Sequence, residues 1–137
     1  MAYLLDTNML SEAVRDANGN VAQRIRQALG TSQIVTSIIV AGELRFGGIT
    51  RGSRRLIRRI EQVLSAVDVL TLAPPVDVIY ARIRADLEKR GQPIGGNDLW
   101  IAAHALAMRH TLVTANAREF GRVPGLMCEN WLSDTLV

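Results

Sequence analysis

The chain has 137 residues, of which 48% are hydrophobic, and a formal net charge of +3. This length suits one ordinary domain, and the apolar fraction is too high for a disordered chain, so we expect a single unit over residues 1–137. Its one cysteine, Cys128, excludes an intrachain disulfide and a cysteine-based zinc site. The first residues lack the pattern of a signal peptide, and no apolar run approaches the roughly 18 residues of a membrane span. Together these features predict a cytoplasmic protein.

Short apolar runs that can form buried strands alternate with segments of helical spacing. The strands are expected at 3–5, 34–36, 67–72, 111–113 and 126–128. This alternation is typical of an α/β protein with a mainly parallel sheet, here of about four or five strands flanked by helices.

The predicted helices also follow from local signals. They are expected at 8–15, 21–29, 38–46, 56–67, 75–90 and 97–108. Gly47 and Gly48 are expected to end the third helix, and Asn97 is expected to cap the last. His104 and His110 are interpreted as ordinary residues of a helix surface or a helix end.

Three acidic residues lie at positions that point to a ligand. Asp6 directly follows the first strand, where α/β sheets bind ligands, although a helix cap explains it equally well. Glu43 is expected to share an apolar helix face with Ile39 and Phe46, where an unpaired carboxylate is costly, unless it is a solvated residue at the edge of the core. Asp98 opens a helix, whose dipole alone could favour it.

The three carboxylates could converge at one sheet edge, where a divalent cation would relieve their repulsion. Oxygen ligands favour Mg²⁺ or Mn²⁺ over zinc. Such a cation can polarise a phosphate and activate water, so the set suits phosphoryl chemistry. Two other classes fit poorly: Asn8 stands where an aspartyl phosphatase needs a second aspartate, and Lys89 is not placed as in a receiver domain.

Five sequence blocks carry a resemblance to a known family. In chain order they read LLDTNMLSE, TSIIVAGELRFG, IGGNDLWIAAHALA, TLVTANAREF and VPGLMCENW. Together they resemble the PIN-domain ribonucleases of the VapC type, which are toxins of bacterial toxin–antitoxin pairs. The resemblance implies a PIN-like three-layer sandwich and an endoribonuclease that depends on Mg²⁺ or Mn²⁺.

The resemblance also implies roles for individual residues. Asp6, Glu43 and Asp98 match the family's three metal-binding acids, at which water would be activated to leave a 5′-phosphate product. Four polar residues have groups suited to orienting the carboxylates or a metal-bound water, although each could equally be a cap or turn residue: Thr7, Asn8, Ser37 and Thr114.

Two residues are candidates for a fourth ligand position. Many relatives have an aspartate two residues after the position of Thr114, where this chain has Asn116. Glu119, three positions further on, is the alternative source of that charge. Asn116 alone would hold a cation less tightly than an acid.

Basic residues are almost all arginine, which suits a nucleic-acid partner but is explained equally by genomic base composition. One helical segment concentrates five of them opposite its apolar stripe, where they could contact RNA phosphates or form a solvated face: Arg51, Arg54, Arg55, Arg58 and Arg59.

Partners are implied by the resemblance alone. It implies a small VapB-type antitoxin that covers the acidic groove, a homodimer and a toxin–antitoxin hetero-oligomer. It also implies structured RNA substrates such as transfer RNA, and thereby inhibition of translation. Two alternatives fit the same residues: a PIN-like RNA- or antitoxin-binding module with little or no catalysis, and a structure-specific DNA nuclease.

Overall fold

Five parallel strands form the centre of the fold in a computed structural model that describes residues 1–133. They are β1 (Ala2–Leu5), β2 (Gln33–Ser37), β3 (Asp68–Leu70), β4 (Thr111–Val113) and β5 (Cys128–Glu129). The strand order is β3-β2-β1-β4-β5, and every neighbouring pair is parallel. The predicted α/β fold with a parallel sheet is therefore confirmed, while residues 134–137 of the expected unit lie outside the described residues.

Helices separate most of the strands along the chain. They are α1 (Thr7–Arg15), α2 (Asn20–Ala28), α3 (Ile38–Arg51), α4 (Arg54–Ser65), α5 (Val76–Lys89), α6 (Gly96–Met108) and α7 (Ala117–Phe120). The short α7 was not expected from the sequence. Because the chain winds from β1 toward β3 and then returns to place β4 on the other side of β1, the sheet has a switch point beside β1, where open α/β sheets bind ligands.

The sheet and helices enclose an aliphatic core. Leu4 and Leu5 of β1 and Leu112 of β4 are fully buried, as the centre of a sheet covered on both faces requires. His110, at 9% exposure, directly follows the C-cap Arg109 and lies at a helix end as expected. His104 is also buried, at 1% exposure, so its interpretation as a residue of a helix surface is wrong. The reason is that nearly every side of α6 packs into the protein, where residues 101–105 are all buried. No helix within residues 1–133 is long and apolar enough to cross a membrane.

The expected helix end at Gly47 and Gly48 is also wrong, because α3 continues to Arg51 and ends at Gly52 in the left-handed conformation. Gly48 is buried where α3 meets α4, and a Cβ there would lie 3.0 Å from Cδ1 of Ile60 and 3.1 Å from Cγ1 of Ile57. A Cβ at Gly47 would meet no atom within 4 Å. Gly48 therefore permits close packing of α3 on α4, whereas Gly47 faces open space.

We expect Gly48→Leu to destabilise the protein by about 1–3 kcal/mol, because the new side chain has to push α3 and α4 apart. Gly47→Ala is the matched control and should stabilise the same helix by roughly 0.5–1 kcal/mol, since alanine is the better helix former. Urea unfolding of the two variants measures both values. Equal stability of the two variants would contradict this account of the α3–α4 contact.

Candidate functional site

Asp6 lies at the carboxyl end of β1 and is 5% exposed. Its Oδ1 accepts a hydrogen bond of 3.0 Å from the Met9 amide, which makes Asp6 the N-cap of α1. Its backbone amide donates to the Val113 carbonyl of β4 at 3.1 Å, and its side chain is also hydrogen-bonded to Thr114. Burial raises the pKa of Asp6 against the lowering effect of these hydrogen bonds, and the charge of Glu43 raises it further. Asp6 thus caps a helix and also faces other acids at the sheet edge.

Glu43 lies on α3 and is half-buried, but the reason expected for its position is wrong. The core face of α3 consists of Val40, Ala41, Leu44 and Gly48, whereas Phe46 is 68% exposed. Glu43 therefore lies at the edge of the core face, because the helix is rotated relative to the face that the sequence suggested. From this edge its carboxylate reaches the carboxyl end of β1.

Two side chains hold the Glu43 carboxylate. The Thr7 hydroxyl donates to Oε1 at 2.5 Å, and the Asn97 amide donates to Oε2 at 3.3 Å. Asn97 is not the N-cap of α6 that we expected, because Gly95 occupies that position and Asn97 lies in the first helical turn. The sequence analysis missed Asn97 as a site residue, and its only signal was an amide directly before Asp98.

Asp98 lies in the first turn of α6 and shares a hydrogen bond with Glu119. The pKa of Asp98 is raised to about 6, mainly by burial. The charge and hydrogen bond of Glu119 and the charges of Asp6 and Glu43 raise it further. Two carboxyl groups can share a hydrogen bond only if one carries a proton. These contacts bring four acids together: Asp6, Glu43, Asp98 and Glu119.

The residues after β4 orient Glu119. Asn116 caps α7 by accepting from the Glu119 amide at 3.4 Å, and its own amide donates to Glu119 Oε2 at 2.8 Å. The Gly95 amide donates to Oε1 at 3.1 Å. Burial opposes ionisation of Glu119, but these donors together with Asp98 and the charge of Arg122 lower its pKa. Glu119 and Asn116 therefore lie together, and Glu119 is the one that contacts Asp98.

The four predicted supporting residues have different surroundings. Thr7 contacts Glu43. The buried Thr114 contacts Asp6 and accepts a hydrogen bond of 2.9 Å from the backbone amide of Asn116. Ser37 is buried and accepts from the Ile39 amide at 3.2 Å, so it caps α3. Asn8 is exposed and makes no hydrogen bond to the acids within the described part of the chain.

Within the described residues, no basic side chain pairs directly with the acidic cluster, and Arg122 acts on Glu119 only from beyond salt-bridge distance. Across residues 1–133, none of its four acids has an arginine, lysine or histidine nitrogen within salt-bridge distance. The atoms that the cluster offers to a metal ion are all carboxylate oxygens, which a hard divalent cation such as Mg²⁺ or Mn²⁺ prefers. In the described chain, however, no three Asp, Glu, His or Cys side chains are already arranged to hold a metal ion. The donor chemistry thus fits a divalent cation, and the carboxylates would have to rearrange to bind one.

The five predicted arginines lie at the end of α3 and along α4. None of them forms a salt bridge with any described residue. Arg45, by contrast, pairs with Glu61 across the α3–α4 contact at 2.9 Å. The guanidinium groups of the five are therefore open to an external anion: Arg51, Arg54, Arg55, Arg58 and Arg59.

Comparison with known proteins gives matches over nearly the whole chain. The PIN domain family model matches residues 3–126. Ribonuclease VapC1 of Haemophilus influenzae is 36% identical over 132 residues, which cover 96% of this chain and 98% of that protein. The tRNA(fMet)-specific endonuclease VapC of Salmonella typhimurium is 31% identical over 96% of this chain and 98% of its own.

Solved structures give the same result for the fold. The VapBC2 structure from Rickettsia felis, bound to a DNA fragment from its promoter, contains a similar chain with a TM-score of 0.88 and 32% identity. The match covers 96% of this chain and 99% of that one. The VapBC-1 structure from nontypeable Haemophilus influenzae matches with a TM-score of 0.84 and 36% identity, over 97% of this chain and 100% of that one.

Proposed function

Because the chain belongs to the PIN-domain family and to the VapC group within it, we propose that it is a metal-dependent endoribonuclease that hydrolyses RNA phosphodiester bonds. The observation that carries the proposal is the convergence of four acids without a direct salt bridge to a described residue at the carboxyl end of β1: Asp6, Glu43, Asp98 and Glu119. The names of the VapC relatives support RNA as the substrate.

In this proposal Asp6, Glu43 and Asp98 are the metal ligands, with Glu119 as the fourth acid. These residues would hold a divalent cation, which would supply Lewis acidity for the phosphate and for deprotonation of the attacking water. Burial and the neighbouring acids raise the pKa of Asp98, and a cation bound there would favour release of its proton because only the ionised carboxylate is an anionic ligand.

The neighbouring polar groups position the carboxylates. Thr7 and Asn97 each donate to one oxygen of Glu43, which fixes the plane of that carboxylate. Thr114 and the Met9 amide hold Asp6 in the same way. Contacts of this kind around metal ligands commonly change metal affinity or activity by about 10–100-fold.

The fourth position is assigned to Glu119, with Asn116 as its orienting partner. We expect Glu119→Gln to reduce cleavage about 100-fold because it removes a charge beside Asp98, and Asn116→Ala to reduce it only about tenfold because Glu119 keeps its Gly95 hydrogen bond. Initial cleavage rates at saturating Mg²⁺ measure both changes. If Asn116→Ala were the more damaging variant, Asn116 itself would be the ligand and Glu119 its support.

We extend the proposal to the biological setting. The protein acts in the cytoplasm on structured RNA such as transfer RNA and thereby inhibits translation, and the Salmonella relative's name supports this substrate. Its partner is a small VapB-type antitoxin, which the VapBC assemblies of its structural relatives support. It forms homodimers and, with the antitoxin, hetero-oligomers.

The proposal is tested by incubating the purified protein with total RNA and with single-stranded DNA, each with Mg²⁺, Mn²⁺ or a chelator. RNA cleavage that requires metal is the expected result. Cleavage of DNA alone would assign a DNA nuclease, and tight RNA binding with no cleavage under any condition would assign a binding module. Either of those results would overturn the proposal.

A further inference from the structure

A groove of about 440 Å³ runs between α1, α3 and α4 and begins at the acidic cluster. Thr7 and Glu43 line it together with residues from all three helices, so the groove and the proposed catalytic centre share two side chains. Three arginines belong to its lining: Arg15, Arg51 and Arg59. We call this feature the arginine groove. Its remaining lining is mostly apolar, and Leu44, Leu56 and Ile60 contribute to it.

The charges of the arginine groove are largely unsatisfied. Arg15 pairs with Glu12 at 2.5 Å, but Arg51 and Arg59 form no salt bridge with any residue in the range 1–133. The first turn of α4 contains Arg54 and Arg55 and no acid. The helix dipole makes that end of α4 positive, so cations there are disfavoured. A bound polyanion would turn this unfavourable arrangement into a favourable one.

We propose that the arginine groove is the subsite that holds the backbone of single-stranded RNA next to the scissile phosphate, with Arg51 and Arg59 on successive phosphates. This inference rests on the proposed function, since it makes the acidic cluster the point of cleavage. The groove volume lies within the roughly 300–1,000 Å³ of small-molecule sites, which suits about one nucleotide and excludes a duplex. The apolar lining gives a ribose or base a surface to contact.

Gly47 offers a way to block the groove without changing its charge. It lines the groove, and a Cβ built on it would meet no atom within 4 Å. A side chain at this position would therefore project into the space that RNA is proposed to occupy. Gly47→Leu fills the space, whereas Gly47→Ala adds one methyl group and is the matched control.

The test measures binding of a fluorescein-labelled 12-nucleotide single-stranded RNA by anisotropy, in chelator so that the RNA stays intact. We expect Arg51→Ala and Arg59→Ala each to weaken binding about tenfold and to lower the slope of log K against log salt by about 0.7. Arg82→Ala is the control, because Arg82 is an exposed arginine on α5 that likewise forms no salt bridge with a described residue. It should change the affinity less than about twofold.

Gly47→Leu should weaken RNA binding at least about fivefold, and Gly47→Ala less than about twofold, if RNA occupies the groove. Unchanged RNA affinity in Gly47→Leu would overturn the proposal. An equal loss of RNA affinity in Arg82→Ala and in the groove variants would also overturn it. Either result would indicate that a protein segment, rather than RNA, occupies the groove. Thermal unfolding of each variant establishes that it is folded. Cleavage of the same RNA by the wild-type protein in Mg²⁺ is scored separately, so loss of the proposed function is distinguished from loss of the subsite.

Discussion

Asp98→Asn should abolish RNA cleavage and at the same time make the folded protein more stable. The amide cannot supply the negative charge that a divalent cation needs, so we expect a decrease in cleavage rate of at least about 1,000-fold. In the absence of metal, however, the wild-type carboxyl is destabilised by burial and by three neighbouring acids. Removing its charge relieves that repulsion.

The stability gain has a defined pH dependence. The pKa of Asp98 is about 6 in the folded protein and 3.8 as its ordinary value, so the folded state holds the proton more tightly. Wild-type stability therefore decreases relative to Asp98→Asn as the pH rises from about 4 to 6, and the full difference persists above that range. A shift of this size corresponds to about 3 kcal/mol, which solvent screening of this half-exposed group reduces to about 1 kcal/mol.

Thermal unfolding in chelator at several pH values measures this difference, and initial cleavage rates in Mg²⁺ measure the activity. Asp68→Asn is the control, because it makes the same chemical change at an exposed residue of β3 outside the cluster. A variant of Asp98 that stayed active, or that was less stable than the wild type at pH 7, would contradict the role given to this residue.

The second large effect is expected from the divalent cation itself. Mg²⁺ should raise the unfolding temperature of the wild-type protein, because it binds the folded acidic cluster and not the unfolded chain. At a concentration 100 times its Kd the stabilisation is about 2.7 kcal/mol. The effect should be smaller at pH 5 than at pH 7, since protons compete with the cation for Asp98, whose pKa is about 6.

Thermal unfolding with increasing Mg²⁺ provides the measurement, and the same titration of Asp98→Asn provides the control. We expect little or no stabilisation in the variant and loss of wild-type cleavage on addition of a chelator. Equal stabilisation of both proteins would place the bound cation outside the cluster. Cleavage that persisted in chelator would remove the metal from the proposed mechanism.

Patterns along the chain predicted the sheet well because β1 to β4 each contain a short apolar run, whereas β5 is only Cys128–Glu129. Asp6 shows how far such a pattern reaches: its place at the end of the first strand follows from Leu4 and Leu5 alone, before any helix is assigned. Helical periodicity carries less information. It states which residues share a face, but it does not state which face packs on the sheet, and for this reason Phe46 was assigned to the core and is exposed.

Helix boundaries limited the prediction of the site. Gly95, Gly96 and Asn97 are all acceptable residues at a helix start, so local preference could not show that Gly95 is the cap and that Asn97 is free to reach Glu43. The choice between Asn116 and Glu119 likewise depended on α7, a helix of four residues that has no periodic pattern. The Asn97–Glu43 contact and the Asp98–Glu119 contact each join segments that are distant in sequence. The pattern of a single sequence does not specify such contacts.

The central position of β1 determines how late in its synthesis the protein can form the acidic cluster. β1 is completed within the first five residues, yet its partner β4 begins at Thr111, and the Asp6 amide bonds to Val113. Glu119 joins Asp98 later still in the chain. A ribosome must therefore release the chain as far as Glu119 before the four acids can meet. If the cluster cuts RNA as proposed, cleavage cannot begin while residues 1–119 are still being synthesised.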